Sequence, residues 1–564
     1  MLDINRRHFL KVVASAGAAV TVSTALGGCS SLVRADNADA VDFTHGVASG
    51  DPTTNALMLW TRAVPKNNAK PVITLGWEVA RDPSFSDIIR SGTVKTSARR
   101  DYTVKVDVQQ LPAGMSLYYR FVGHDQYSPI GEGATLPQQG IDAIRLGVFS
   151  CSNYPAGFFN PYHHASQDDT IDFVLHLGDY IYEYGAGGYG YDDAERIGRT
   201  FPDNNNKEIV SLDDYRRRYA LYRTDEGLKA LHATKSFIVV WDDHEIANDT
   251  YKDGAQNHQP DTEGDFYQRR AAAIQAYYEW MPIRPPQGDA SLQIYRSFEL
   301  GDLANLIMLD TRIIGRDKQL AYADFTDVST GKFDSQGFQA AMQSDRSILG
   351  KKQLQWLVNQ LAQSNAHWQI LGQQLLMARM NFPAAIIGSK DRSTIANKLL
   401  NAAQLKQARA NGQPLTEQQQ RYIDTVTPYN LDAWDGYAME REVLFQQVKQ
   451  MGKKIVVLAG DTHNAWHNHL TTHTGQQVGV EFGTSSVSSP GMETYLGLDD
   501  ATAKKLAQAL PTVIKDLQYT NLHERGYMVT QISKDAIDNE WRFVDTIKSK
   551  DYQLSGTHRA QFRG

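Results

Sequence analysis

Residues 171–185 read IDFVLHLGDYIYEYG. The first half is a nearly continuous apolar run, which fits a strand buried on both faces rather than on one. The second half breaks at Gly178 and sets a carboxylate, Asp179, and a phenol, Tyr182, just beyond. A glycine at that point lets the chain turn tightly, so the carboxylate can aim off the end of the strand. In an open α/β sheet the carboxyl ends of the strands are where sites form.

The same pattern recurs along the chain. RLGVFSCSNY (145–154) is an apolar run ending at Cys151, and FIVVWDDHEIAND (237–249) delivers Asp242, Asp243, His244, Glu245 and Asn248. ANLIMLDTR (304–312) ends in Asp310 and Arg312, and KIVVLAGDTHNAWHNH (454–469) ends in Asp461, His463 and His467. A further run, HWQILGQQLL, spans 367–376. Between the runs lie helical patterns such as YQRRAAAIQAYYEWM (267–281) and GKKQLQWLVNQLAQS (350–364), with apolar residues every three or four positions. This is α/β texture. Residues 392–425, rich in Gln and Ala, read as helical, and GYMVTQISKDAIDNEWRFVD (526–545) reads as a hairpin.

Before residue 138 the texture is all β. ALMLWTR (56–62), PVITLGWEVA (71–80), YTVKVDVQQL (102–111) and SLYYRFV (116–122) carry β-branched and aromatic residues and are separated by Gly, Pro and Asn. Evenly spaced short strands predict a β-sandwich over 41–137, joined by LPQQG (136–140) to the α/β part.

The first 40 residues read as an export leader. Arg6 and Arg7 precede a small-residue apolar run from Val12 to Gly28, and NRRHFLK looks like a twin-arginine signal with Asn5 in place of the usual Ser or Thr. LGGC then resembles a lipobox ending at Cys29. Cys29 is expected to be lipidated there, or discarded if cleavage falls near Ala38 or Ala40. The chain has two cysteines, so in either case Cys151 has no thiol to pair with.

The chain of 564 residues is long enough for a large domain and a smaller one. Its 10% aromatic content, with 27 Tyr, argues against extended disorder. The net charge of −7 becomes more negative once Arg6, Arg7, Lys11 and Asp3 leave with the leader, which argues against a nucleic-acid-binding surface.

The residue types at the strand ends point to metal chemistry. A carboxylate such as Asp179 can bridge two cations. A phenolate at Tyr182 suits a trivalent hard cation, and a thiolate at Cys151 suits a transition metal. His463 adds an imidazole, while Asn248 and Asp461 are oxygen donors of the calcium type. Singly, each has a plainer reading. A lone buried Cys is usually a small core residue, DDHE can start a helix, GDTH can be a capped turn, and Arg312 can bridge Asp310. His176 reads as core and His467 as surface. Recurrence at four strand ends favours the metal reading.

With these motifs in view, the chain resembles the PhoD-type alkaline phosphatases, of the calcineurin-like metallophosphatase fold. The resemblance rests on FTHGVASGDPTTNALMLWTR (43–62), FSCSNY, HLGDYIYEYG, WDDHEIANDTY, LDTR, NLDAWDGY and LAGDTHNAWH, in the family's order. It implies a four-layer αββα metallophosphatase core over 141–550, a fibronectin-III-like sandwich ahead of it and a C-terminal tail at 551–564. It implies Fe3+ held by Cys151, Asp179, Tyr182 and His463, and one or two Ca2+ held by Asp179, Asn248 and Asp461, with Asp243 where related enzymes carry an Asn ligand. His244 matches the residue expected near the leaving group, and Asp179 joins it as a catalytic residue. Arg216, Arg218 and Arg312 are candidates for phosphate contact.

The implied activity is hydrolysis of phosphomonoesters, and of some diesters, by metal-activated water, for phosphate scavenging. The alternatives are a phosphodiesterase or phospholipase D-like enzyme on the same site and, more distantly, a non-catalytic surface lipoprotein. The implied partners are phosphate-ester small molecules and the twin-arginine export machinery. The implied location is the periplasm, the outer membrane through Cys29, or the exterior.

Overall fold

The computed structural model describes residues 21–22, 39–66, 71–124, 126–286, 292–387, 389 and 391–564. The arginine motif and Cys29 lie outside the described residues. Among the described residues no helix is long and apolar enough to cross a membrane.

The N-terminal strands are β1 (Val47–Gly50), β2 (Ala56–Arg62), β3 (Val72–Ala80), β4 (Ile88–Ser97), β5 (Thr103–Gln109), β6 (Ser116–Val122) and β7 (Gly131–Ala134). The α/β part adds β8 (Ala143–Phe149), β9 (Phe173–His176), β10 (Ser236–Val239), β11 (Arg296–Leu300), β12 (Ala304–Met308), β13 (Trp368–Gly372), β14 (Ile455–Ala459), β15 (Ala465–Thr471), β16 (Gln477–Gly483) and β17 (Leu517–Asn521). The chain closes with β18 (Arg525–Ser533), β19 (Ile537–Val544) and β20 (Leu554–Phe562). The helices used below are α1 (Leu212–Tyr222), α2 (Glu226–Thr234), α3 (Phe266–Trp280), α4 (Gly350–Gln363), α5 (Ser393–Ala410), α6 (Ala438–Gln450) and α7 (Asp500–Val513).

Two large sheets form the centre. One runs β5-β2-β1-β10-β9-β8-β18-β19-β20, with Thr21–Val22 at its β5 edge, and the other runs β11-β12-β13-β14-β16-β15-β17. Strands β8, β9 and β10 are parallel, as are β12, β13 and β14, so their carboxyl ends share one side of each sheet.

Residue alternation builds the layers. Leu306 and Met308, Ile370, and Val456 and Leu458 join the core shared with the first sheet, with Val148, Leu175 and Ile238. Their neighbours Ile307 and Leu309, Leu371, and Val457 and Ala459 pack outward under Leu357 and Leu361 of α4, Leu399 of α5, Leu444 of α6 and Leu506 of α7. The first sheet is backed by Tyr215 and Tyr219 of α1, Leu228 and Leu231 of α2, and Ile274 of α3. This is the four-layer arrangement, and it explains why the strands read as unbroken apolar runs: both faces are covered. Each fully buried branched side chain contributes on the order of 1.5–3 kcal/mol.

The N-terminal sandwich packs β5, β2 and β1 against a second sheet ordered β7-β6-β3-β4. Leu57, Leu59, Val104 and Val106 meet Leu75, Trp77, Leu117 and Phe121 in its core. It is not separate from the α/β part, because β1 pairs in parallel with β10, Ser49 opposite Ser236 and Gly50 opposite Phe237. Gly50 permits this contact, since a Cβ there would stand 2.3 Å from the Pro282 carbonyl and 2.7 Å from that of Phe237. The linker at 136–140 divides the chain but not the sheet.

The expected tail at 551–564 needs correction. Residues Leu554–Phe562 form β20, paired antiparallel with β19, so the hairpin becomes a three-stranded extension of the first sheet. Polar alternation and an exposed edge gave β20 no apolar signal to read.

Because β1 completes the backbone pairing of β10, deleting residues 39–137 would bare a central strand edge and invite aggregation. The truncated chain is expected in the insoluble fraction, measured by soluble yield and gel filtration. A soluble, active monomer would overturn the dependence.

Candidate metal centre and active site

Four of the predicted site residues sit in left-handed backbone. Cys151 has φ of 61°, Asp179 of 55°, and Asp461 and His463 of 63° each. Non-glycine residues rarely adopt this region, and where they do the surrounding structure holds them there. Glycines bring the loops together. Gly178, at φ 102°, lies so close to β10's end that a Cβ would stand 2.4 Å from Asp242 Cβ. At Gly460 a Cβ would stand 2.8 Å from Ser150, so the loop after β14 touches the loop after β8.

One cluster joins Cys151, Asp179 and His463, whose ligand atoms lie within 4.8 Å of one another. Tyr182 closes it, donating its hydroxyl to Asp179 Oδ2 at 3.1 Å and standing 3.2 Å from His463 Nε2. His463 Nδ1 is committed to the Pro490 carbonyl at 2.6 Å, which leaves Nε2 as the ring's lone-pair donor. Burial pushes the Cys151 thiol and the Tyr182 phenol well above their ordinary values, and the nearby Asp179 charge pushes them further. Asp179 Oδ1 is buried without a hydrogen-bond partner. A thiol, a phenol, an imidazole and an unsatisfied carboxylate oxygen at one point fit a cation, whose charge would draw both acidic protons off.

A second cluster joins Asp179, Asp243 and His244 within the same span. His244 Nδ1 lies 2.7 Å from Glu183 Oε2, so Nδ1 donates and Nε2 is the nitrogen left for the pocket. Burial alone would lower the imidazole's pKa, but Asp243 and Glu183 outweigh it and hold His244 protonated, well above its ordinary value. Glu183 in turn accepts from the Asn248 backbone N–H and the Asn257 amide, both at 2.8 Å. Glu245 serves a different purpose. It accepts the N–H groups of Asp179 and Asp242 at 3.0 and 2.7 Å, tying the ends of β9 and β10 together. Burial, then Asp179, pushes Glu245 up to about 8.

The third cluster, Asp242, Asp243 and Asp461, surrounds the guanidinium of Arg312. Arg312 is fully buried and donates to Asp242, to Asp432 at 2.7 Å and to Asp461 at 3.0 Å, with Asp243 Oδ1 at 3.3 Å. Burial raises the Asp242 and Asp461 carboxyls well above the carboxylate range, with Arg312 opposing. For Asp243, Arg312 and then His244 overcome burial and lower it.

The three arginines expected at phosphate are therefore spent elsewhere. Arg312 is the counter-ion of the acid cluster and does not bridge Asp310, whose Oδ1 caps the backbone of Arg312 and Ile313 at 2.9 and 2.8 Å. Arg216 clamps Glu279 of α3 through two 2.7 Å bonds. Arg218, fully buried, bonds the carbonyls of Tyr182 and Tyr184 and the side chain of Asn205, fixing the Tyr182 segment. Asn248, expected among the calcium ligands, donates its amide to Gln256 at 3.0 Å. His176 is core, bonded at 2.6 Å to the Tyr162 hydroxyl.

Several contributors escaped the sequence reading. Ser489 Oγ lies 2.7 Å from the Tyr182 hydroxyl and 2.9 Å from the Cys151 carbonyl. Its signal is the hydroxyl-rich TSSVSS (484–489) directly after β16. Asp432 and Glu183 stood inside quoted motifs, but their partners could not be read from spacing.

Two facing sheets whose strand ends gather a thiol, a phenol, imidazoles and carboxylates define an α/β protein of the two-sheet class with a candidate metal centre. Comparison with known proteins makes this specific. The PhoD-like phosphatase family model matches residues 146–541, and the model of that family's N-terminal domain matches 28–137. The chain belongs to the PhoD-like phosphatase family and is a phosphatase of that type. It is 34% identical over 505 residues to alkaline phosphatase D of Bacillus subtilis (strain 168), covering 86% of this chain and 76% of that protein. A solved structure of PhoD matches with a TM-score of 0.73 and 30% identity, over 93% of this chain and 91% of that one.

Removing the buried guanidinium would leave Asp242 and Asp461 facing one another without a cationic partner, while Asp432 keeps Arg316. Arg312→Leu is expected to cost about 3–5 kcal/mol of stability, measured by urea denaturation. A wild-type midpoint would refute the counter-ion role.

Proposed function

We propose that this phosphatase works through an iron(III) ion held by Cys151, Asp179, Tyr182 and His463. In the same reading one or two calcium ions are held by Asp179, Asn248 and Asp461, with Asp243 beside them. The observation that carries the reading is the thiol, carboxylate and imidazole within 4.8 Å of one another, with Asp179 Oδ1 unpartnered. Asn248 gives its NH2 to Gln256 and would ligate through its carboxamide oxygen.

When bound, such ions supply Lewis acidity toward phosphoryl oxygens and water. The protein does the rest. Cys151 and Tyr182 surrender their protons on ligation, so loading is favoured by rising pH. Glu183 holds His244 with Nε2 free, and the protonated ring delivers a proton to the departing alkoxide. Arg312 lowers Asp243 and opposes the protonation that burial favours at Asp242 and Asp461. The substrates are phosphomonoesters and some phosphodiesters, with phosphate released for scavenging.

We place the enzyme outside the cytoplasm, carried there by the twin-arginine leader and anchored through Cys29. A centre gathered from distant strand ends exists only in the folded chain, which suits a route that carries folded proteins.

Elemental analysis of the active enzyme is expected to find iron and calcium, with a visible charge-transfer band that Tyr182→Phe shifts or bleaches. An iron-free active enzyme, or a band untouched by Tyr182→Phe, would remove the iron assignment. Replacing Arg6 and Arg7 together by Lys is expected to hold the protein in the cytoplasm, read by fractionation. Unchanged export would reject that route.

A further inference from the structure

An aromatic path leads outward from the centre. The Tyr189 hydroxyl lies 2.9 Å from His463 Nδ1 and donates to the Pro490 carbonyl at 2.6 Å. Its ring stands 6.0 Å from the His463 ring, with planes 27° apart. Tyr495, on the short helix Met492–Leu496, stacks on Tyr189 with centroids 6.2 Å apart and planes only 7° from parallel. Tyr184 meets both Tyr189 at 5.9 Å and His244 at 5.5 Å. These separations lie within the range of favourable aromatic pairs.

Tyr495 is 46% exposed, so much of its surface is left for another molecule. A single exposed tyrosine is ordinary. This one differs because it is held nearly parallel to a ring that is itself hydrogen-bonded beside His463.

Charge offers little alternative for gripping a leaving group. Arg216, Arg218 and Arg312 are committed to protein partners, and Asp243, Asp432 and Asp461 make the centre acidic. An uncharged planar group avoids that repulsion and gains stacking energy on a tyrosine already fixed in place.

We infer that Tyr495, backed by Tyr189, is a stacking platform for the leaving group, and that the enzyme prefers phosphomonoesters whose alcohol bears a planar aromatic ring such as a nucleobase. The inference rests on the phosphatase reading of this site. Tyr495 determines specificity and takes no part in the bond-breaking step. That step transfers the phosphoryl group to water, breaks the phosphorus–oxygen ester bond and returns a proton to the alcohol, with or without a base on it.

Adenosine 5′-monophosphate and ribose 5-phosphate test this, because both leave through the same primary alkoxide and differ in the base. With the metal-loaded enzyme, kcat/KM is expected to favour the nucleotide roughly tenfold, in line with base–aromatic stacking elsewhere. Tyr495→Ala is expected to bring the ratio close to one while leaving ribose 5-phosphate turnover unchanged, and Tyr495→Phe to retain the preference. Equal wild-type values, a ratio that survives Tyr495→Ala, or a matching fall for both substrates would each overturn the platform. Absence of turnover for both esters in the wild-type enzyme would instead strike the monoesterase reading on which the platform depends.

Discussion

The buried guanidinium of Arg312 is the constraint on which the site depends. It comes from the loop after β12 in one sheet and binds Asp242 from the loop after β10 in the other. It also binds Asp461 after β14, and Asp432 from the segment before α6. Four carboxylates cannot share a buried space without compensation, since desolvation and mutual repulsion would drive protons onto them. A planar, permanently charged side chain with five donors answers several of them at once, as an ammonium could not. The interaction therefore does two things. It locks the strand ends of two sheets to each other, and it opposes the protonation that burial favours at Asp242 and Asp461.

Close backbone approach is the second requirement, and it explains where the strain lies. Gly178 and Gly460 let four loops approach in two pairs where any Cβ would collide. Next to them Cys151, Asp179, Asp461 and His463 hold left-handed conformations. Such conformations persist when neighbouring bonds over-determine them. Glu245 supplies some of those bonds across β9 and β10, and Ser489 reaches Cys151 and Tyr182 from the loop after β16. The functional side chains are thus aimed by strained backbone whose cost is met by buried polar bonding around it.

The N-terminal sandwich bears on the same centre through the sheet itself. β1 continues the pairing of β10, the strand that ends in Asp242, Asp243 and His244. Trp60 of β2 donates to the Glu279 carbonyl at 2.8 Å, and its ring meets Trp280 at 5.7 Å, so α3 is gripped by the N-terminal sheet as well. Arg216 adds its clamp on Glu279. A residue read as a phosphate contact thereby proves to hold two parts of the fold together.

Much was legible in the sequence because it is local. Apolar runs followed by Gly and Asp announced buried parallel strands, since covering both faces removes alternation. The same runs announced Cys151, Asp179, Tyr182, Asp243, His244, Asp461 and His463 as a set, because the carboxyl edge of a sheet is where polar side chains escape burial. The missing part was non-local. Whether Arg216, Arg218 and Arg312 face a substrate or a carboxylate depends on partners up to about 150 residues away, such as Asp461 for Arg312. The fusion of β1 to β10 and the pairing of β20 are likewise backbone matters, decided by hydrogen-bond partners that side-chain patterns do not name. The sequence by itself determined the chemistry offered at each strand end. Only the tertiary structure decided which of those charges meet and which are already neutralised, because electrostatic pairing depends on distance in space and not along the chain.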